Sequence, residues 1–107
     1  MAARALIHLP SPLRRGDVFE VRALIGHPME TGFRVASDGR VLPRDILRRF
    51  ECRLDGELLF AADLHPALAA NPFIAFWLRA GDSGTLAFVW RGDNSFVHEE
   101  DVPLVVA

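Results

Sequence analysis

Apolar and polar residues alternate along this chain with a period of two. The segment 17–26, "DVFEVRALIG", shows the pattern clearly, because every odd position from 19 to 25 is apolar whereas Glu20 and Arg22 lie between them. Successive side chains of an extended strand point to opposite faces, so this segment has one apolar and one polar face. The pattern predicts a half-buried β-strand.

Other segments share this character and are rich in Val, Ile, Phe and Trp, so about seven strands are predicted in all. The further predicted strands are 4–9, 47–54, 57–62, 72–80, 85–91 and 96–106. Turn-forming residues separate many of them and predict hairpin links. These turns are "SDGR" (37–40), "LDGE" (54–57), "AGDSG" (80–84) and "RGDNS" (91–95). Short strands without crossover helices predict an all-β, immunoglobulin-like antiparallel β-sandwich, with a small barrel as the alternative.

Helical signals are weak and fall in two short segments. "PRDIL" at 43–47 and "DLHPALAAN" at 63–71, where Asp63 is a candidate cap, predict one or two turns each. The connection 27–45 is long for a sandwich and contains few regular signals, which is typical of a functional loop.

Length and charge narrow the class of protein. The chain of 107 residues predicts a single domain, 1–107, and its formal charge of -2 offers no attraction to nucleic acid or to an acidic membrane. No apolar run approaches the ~20 residues that span a bilayer, and the N-terminal segment does not resemble a secretory signal. Taken alone, these features predict a cytoplasmic protein.

Candidate metal ligands cluster in "HPMETGFR" at 27–34, where His27 and Met29 are a possible copper pair. The other histidines lie in distant segments without the spacing of a zinc site. His98 adjoins the acidic run 99–101, which is typical of a solvated strand end more often than of a cation site. We therefore predict no metal and no cofactor.

No catalytic constellation is recognisable. Cys52 is the single cysteine, and in "RRFECRL" it shares a strand face with Phe50 and Leu54, which predicts a core residue rather than a nucleophile. There is no nucleophile elbow, phosphate-binding glycine loop or dinucleotide fingerprint. The sequence thus favours a protein that is not an enzyme.

The strongest functional signal is an excess of apolar residues on strands 72–80 and 85–91, which we take to be neighbours. Each has an apolar inner face, yet the opposite face is largely apolar too and ends at an arginine. A sandwich strand needs one apolar face only, so the second predicts a surface that binds a partner. The predicted partner interface is Phe73, Ala75, Trp77, Arg79, Ala87, Val89 and Arg91.

Four segments resemble the SoxZ family, and the resemblance covers nearly the whole chain. The segments are "HPMETGFR" (27–34), "PRDILRRFECRLDGE" (43–57), "ADLHPALAANPFIAF" (62–76) and "SGTLAFVWRGDN" (83–94). The resemblance implies an immunoglobulin-like sandwich of E-set type that is the small, non-catalytic subunit of the SoxYZ sulfur carrier in bacterial thiosulfate oxidation.

In that family the implied partner is SoxY, whose C-terminal Gly-Gly-Cys-Gly-Gly arm carries the sulfur intermediates. Transient contacts with SoxAX, SoxB and SoxCD are also implied, as is a periplasmic location reached by export together with the Tat-targeted partner. The carrier thiol is the partner's, so the resemblance gives Cys52 no such role. Self-association is expected when SoxY is absent.

Two other functions remain open at this point: a small copper-binding β-sandwich that uses His27 and Met29, and a self-associating adhesion-type module. For "HPMETGFR" itself we favour a loop that helps to receive the partner or a docking enzyme. The residues assigned to this docking loop are His27, Pro28, Met29, Glu30, Thr31 and Arg34.

Overall fold

The computed structural model describes residues 4–65 and 69–107, which form an all-β sandwich of two antiparallel sheets. The strands are β1 (Ala5–His8), β2 (Val18–Ile25), β3 (Leu47–Leu54), β4 (Glu57–Asp63), β5 (Phe73–Arg79), β6 (Gly84–Gly92) and β7 (Val97–Leu104). One sheet has three strands in the order β1-β2-β5, and the other has four in the order β4-β3-β6-β7. The predicted fold class is confirmed, and the described residues contain no helix long and apolar enough to cross a membrane.

Each predicted strand is present, with ends that agree to within two residues. The predicted helical turn at 43–47 is wrong, because Asp45 exchanges two backbone hydrogen bonds with Glu30 and Leu47 already begins β3. The second predicted turn, 63–71, includes residues outside those described. Its proposed cap, Asp63, is the last residue of β4.

Aromatic rings from both sheets meet in the core around Phe50. Its ring centroid lies 5.2 Å from that of Trp90 in the same sheet and 5.7 Å from that of Phe76 in the opposite sheet. Phe60 and Phe76 stack across the sandwich with centroids 4.2 Å apart. Such contacts fix how the two inner faces lie over each other, since close-packed rings tolerate little sliding.

Two of the predicted turns are hairpin links within the four-stranded sheet, but the turn at 80–84 is not. It carries the chain from β5 in one sheet to β6 in the other. Its two ends are held by different partners: the Ala80 N–H donates to the Asp17 carbonyl at 2.7 Å, and the Thr85 N–H donates to Asp55 Oδ1 at 2.9 Å. Strands β5 and β6 are therefore consecutive along the chain but are not hydrogen-bonded to each other.

Candidate functional site

The outer face of the three-stranded sheet carries exposed apolar side chains beside an Arg22–Glu20 ion pair on β2. The strand register places Leu6, Leu24 and Phe73 side by side across β1, β2 and β5. Phe73 is 59% exposed and Trp77, further along β5, is 64% exposed. We call this surface the apolar face; it consists of Leu6, Leu24, Phe73, Ala75 and Trp77.

The residues of the predicted partner interface do not form one patch. Those on β5 lie together and point outward, as expected: Phe73, Ala75, Trp77 and Arg79. Those on β6 belong to the other sheet: Ala87, Val89 and Arg91. Because the outer faces of a sandwich point in opposite directions, the assumption that the two strands are neighbours was wrong, and the predicted patch is two separate surfaces.

The β6 residues lie on a charged surface rather than an apolar one. Val89 is paired with Glu51 of β3 on one side and with Glu99 of β7 on the other, and it is only 6% exposed. Glu51 accepts hydrogen bonds from Arg49 at 3.1 Å and from Arg53 at 3.5 Å. The hydrogen bond from Arg49 is the main reason that the pKa of the Glu51 carboxyl lies below its usual value.

The long connection between β2 and β3 contains a β-ribbon. Its two sides are joined by single bridges at Glu30–Asp45 and Val35–Val41, and the Leu42 N–H donates to the Arg34 carbonyl at 2.9 Å. The molecule measures 57 × 21 × 20 Å, and its longest strand, of nine residues, spans only about 30 Å. We call residues 30–45 the ribbon; its length and exposure fit an extension beyond the end of the sandwich.

The motif "HPMETGFR" forms the base of this ribbon. His27 and Met29 are each only 4% exposed. The Met29 N–H donates to His27 Nδ1 at 3.0 Å, and the Leu47 N–H points to Met29 Sδ at 3.2 Å. The His27 N–H donates to Asn71 Oδ1 at 3.0 Å, which ties this base to the start of β5. One ring nitrogen of His27, Nδ1, and the Met29 sulfur thus accept backbone hydrogen bonds, whereas His27 Nε2 has no hydrogen-bond partner among the described residues.

Burial lowers the pKa of His27, because the charged imidazolium loses hydration there, although Asp45 and Asp93 act in the opposite direction. The nearest of these carboxylate oxygens, Asp45 Oδ1, lies 3.6 Å from His27 Nε2. His27 also packs edge-on against the Phe96 ring at 5.1 Å. The imidazole is a structural element of the ribbon base.

The remaining residues of the motif stiffen the start of the ribbon. Arg34 donates two hydrogen bonds to the Glu30 carboxylate, at 3.0 and 2.8 Å, and the Arg34 contact holds the pKa of Glu30 below its usual value. Gly32 has a φ of 88°, and a Cβ at this position would lie 3.1 Å from Arg44 Cβ. Of the six residues predicted as a docking loop, only Pro28 and Arg34 are well exposed.

The ribbon itself carries an exposed apolar surface that was not among the predicted site residues. Phe33 is 87% exposed, and Val35 and Val41 face each other across the ribbon. Strand alternation and the 35–41 pairing put these three side chains on the same side, together with Pro43. The signal was present in "GFRVASDGRVLP", where apolar residues alternate on both sides of the recognised turn at 37–40.

Two further residues were considered for chemistry, Cys52 and His98, and neither belongs to the apolar face or the ribbon. Cys52 is fully buried and desolvation raises its pKa to about 12, which confirms the core assignment and disfavours a thiolate. His98 Nε2 lies 3.1 Å from Glu100 Oε1 on β7. Within 4–65 and 69–107, no three His, Cys, Asp or Glu side chains come together as metal ligands would.

The protein-family model described as sulphur oxidation protein SoxZ matches residues 7–103, nearly the whole chain. No curated protein sequence matches.

Several solved structures share the fold. A superoxide reductase (neelaredoxin) from Ignicoccus hospitalis has 21% identity and a TM-score of 0.71, over 96% of this chain and 80% of that one. A putative superoxide reductase from Thermotoga maritima has 13% identity and a TM-score of 0.71, over 96% and 85%. The superoxide reductase from Archaeoglobus fulgidus in the reduced form has 16% identity and a TM-score of 0.64, over 95% and 89%. At these identities the likeness concerns the fold alone.

Proposed function

Because the chain belongs to the SoxZ family of the sulfur-oxidising Sox system, we propose that it is the non-catalytic subunit that binds and stabilises SoxY. In this proposal SoxY carries the sulfur intermediates on its own cysteine, and this chain supplies the structured surface on which SoxY rests. The observation that carries the proposal is the apolar face, where Phe73 and Trp77 are more than half exposed. Exposed aromatic rings of this kind, with charged residues beside them, are typical of a partner interface.

The burial of Cys52 supports the proposal that SoxY, and not this chain, carries the sulfur intermediates. A sulfur carrier needs a thiolate that can reach several enzymes, whereas this thiol is enclosed between the sheets and has a raised pKa. Sulfur transfer on this chain is therefore disfavoured, and the chemistry is assigned to the partner.

The ribbon is the proposed docking element for the Sox enzymes that act on the carrier. It presents Phe33, Val35 and Val41 to solvent from a base held by buried hydrogen bonds. A stiff base lowers the conformational entropy lost on binding, which suits an element that meets several enzymes in turn. This assignment keeps Arg34 and Pro28 from the predicted docking loop as surface residues and moves His27 and Met29 to a supporting role.

The periplasm is the proposed location, with export of the assembled pair. A complex that crosses a membrane folded must not dissociate on the way, so a largely apolar interface is expected. Fractionation of cells that express the chain with and without SoxY tests this. Periplasmic chain in the absence of SoxY would contradict co-export.

The test of the proposed function is a measurement of mass and affinity. The chain, alone and mixed with purified SoxY, is passed over a sizing column with light-scattering detection, and affinity is measured by titration calorimetry. We expect a one-to-one complex and self-association or aggregation of the chain alone. A monodisperse monomer that ignores SoxY would overturn the proposal, and a dimer unaffected by SoxY would favour the adhesion-type alternative.

The copper alternative is tested separately by elemental analysis of the purified chain, with His27→Gln as the comparison variant. Stoichiometric copper that is lost in this variant would favour it. Because His27 Nδ1 accepts the Met29 N–H, the neutral ring carries its proton on Nε2, and Met29 Sδ faces the Leu47 N–H. We therefore expect no such copper.

A further inference from the structure

The sandwich has four edge strands: β1 and β5 border the three-stranded sheet, and β4 and β7 border the four-stranded sheet. An edge strand presents a row of unpaired N–H and C=O groups that can pair with another chain. Natural β-proteins protect such edges with charge, proline, bulges or short length. The four edges here differ in how far they are protected.

Three edges carry recognisable protection. β1 is only four residues long and is followed closely by Pro10. β7 contains the acidic run 99–101 and Pro103. β4 has a carboxylate at each end, Glu57 and Asp63, and an irregular register opposite Cys52 and Arg53.

β5 is the least protected of the four edges, although Pro72 directly precedes it. Its sequence, "FIAFWLR", contains no proline, and its sole charge is Arg79 at the end. It pairs in regular register with β2 over its whole length, and no other strand of the described residues pairs with its second edge. A largely apolar, seven-residue edge of this kind is a template for strand addition.

The backbone direction along β5 follows from its hydrogen bonds. The Ala80 N–H donates to the Asp17 carbonyl, and the Pro72 carbonyl accepts from the Ile25 N–H, so even-numbered residues face β2. Alternation in an antiparallel strand then turns the N–H and C=O groups of the odd-numbered residues to the free edge. These residues are Phe73, Ala75, Trp77 and Arg79, and all four are exposed.

We propose that an extended strand of the partner subunit pairs with this free edge of β5 and extends the three-stranded sheet. Only an extended backbone matches a row of N–H and C=O groups at this spacing, which selects the type of occupant. The side chains Phe73, Ala75 and Trp77 form a large, small, large series on the outer side. The added strand therefore carries a large apolar side chain beside Ala75, where the series leaves room.

Continuity with the apolar face supports this occupant. Phe73 and Trp77 belong both to the free edge and to the apolar face, so one partner that adds a strand also covers the exposed rings. The proposal rests on the proposed function, because the added strand is assigned to SoxY. It goes further by naming the edge, the backbone groups and the pattern of the added strand.

The test uses a proline that removes one edge donor. Ala75→Pro deletes an N–H that faces the free edge and leaves every hydrogen bond to β2 in place, and proline is tolerated at such positions. Ala61→Pro on β4 is the matched control: the Leu64 N–H donates to the Arg48 carbonyl, so by alternation the Ala61 N–H also faces a free edge. Thermal melting of both variants checks that they fold.

We expect Ala75→Pro to weaken SoxY binding by at least about tenfold, since it blocks a paired backbone group, and Ala61→Pro to change it by less than about twofold. Hydrogen exchange gives a second readout. On SoxY binding the amides of residues 75 and 77 should become protected, whereas those of 74 and 76 should already be protected in the free chain.

The possible failures are distinguishable. If the wild-type chain does not bind SoxY, both the proposed function and the strand addition are overturned. If it binds but Ala75→Pro binds equally well and the odd-numbered amides stay unprotected, the partner contacts the apolar face only. If those amides are protected without SoxY in a dimer, the occupant is a second copy of this chain, and the assignment to a partner strand is wrong.

Discussion

The two outer faces of this sandwich differ in how far their apolar side chains are covered. On the four-stranded sheet, Glu51 is enclosed by Arg49 and Arg53, and Val89 lies almost covered between charged rows. On the three-stranded sheet, Phe73 and Trp77 stay more than half exposed, although Glu20 is the cross-strand neighbour of Trp77. On the first face the chain's own charged side chains surround the apolar residue, whereas on the second the aromatic rings stay open to solvent. Where the outer faces of a sandwich differ in this way, the uncovered face is the better candidate for partner binding.

The largest expected effect is on the free energy of unfolding, from a substitution in the core between the two sheets. Phe50→Ala removes the ring that packs against both Trp90 and Phe76, and should lower the free energy of unfolding by about 3–5 kcal/mol. Trp77→Ala, on the apolar face, should lower it by less than about 1 kcal/mol. Urea unfolding followed by circular dichroism measures both. Equal losses would mean that the apolar face contributes to stability as the core does.

The second effect concerns partner binding. If SoxY covers the apolar face, Trp77→Ala should weaken binding about 30-fold, the loss typical of an aromatic hot spot. Val97→Ala is the control, because Val97 is an exposed apolar residue that pairs with Arg91 on the outer side of the four-stranded sheet. Titration calorimetry with SoxY compares them. If Val97→Ala weakened SoxY binding more than Trp77→Ala, the four-stranded sheet and not the apolar face would be the SoxY interface.

A third prediction separates the ribbon from the apolar face. Phe33→Ala should lower the turnover of carrier-bound sulfur by a Sox enzyme several-fold while SoxY affinity stays unchanged, because Phe33 lies on the ribbon. The comparison variant is Val105→Ala, a highly exposed apolar residue near the C-terminus. Steady-state turnover of the reconstituted complex measures the effect. Unchanged turnover with Phe33→Ala would remove the docking role from the ribbon.

The smallest effect is the pH dependence of the charged face. The pKa of Glu51 is lowered in the folded chain, mainly by its hydrogen bond to Arg49. Its stabilising contribution is therefore complete above its ordinary pKa of 4.5 and is lost as the pH falls through the lowered folded value. Glu51→Gln should flatten the fall of melting temperature in this acid range. An acid fall that is the same in Glu51→Gln as in the wild-type chain would contradict a stabilising role for the Arg49 contact.

The strands were predictable because a half-buried strand has alternating apolar and polar residues, and this alternation is visible within one short segment of sequence. Segment 47–54 was predicted with the bounds that β3 has, and Phe50 and Cys52 point inward as expected. The predicted turn at 43–47 failed because Asp45 pairs with Glu30, fifteen positions earlier, and propensity over five residues contains no information about such a contact.

The candidate site was predictable in part. An exposed apolar strand was recognised correctly on β5, since excess apolar residues are visible in one segment. Leu6 and Leu24 were missed because each stands in a separate strand, and only the register brings them beside Phe73. In "HPMETGFR" the density of unusual residues was taken for a contact surface, whereas His27 and Met29 are buried in the base that holds the ribbon.

By itself the sequence determined the fold class, the strand bounds and the inward placement of Cys52, because each depends on alternation within a single strand. Only the tertiary structure decided which strands share a sheet. Consecutive strands β5 and β6 lie in different sheets, since the short turn between them crosses the sandwich instead of folding back. The sheet to which a strand belongs depends on its hydrogen bonds to segments that are distant in sequence. The residue pattern within one strand does not specify which distant strand it pairs with.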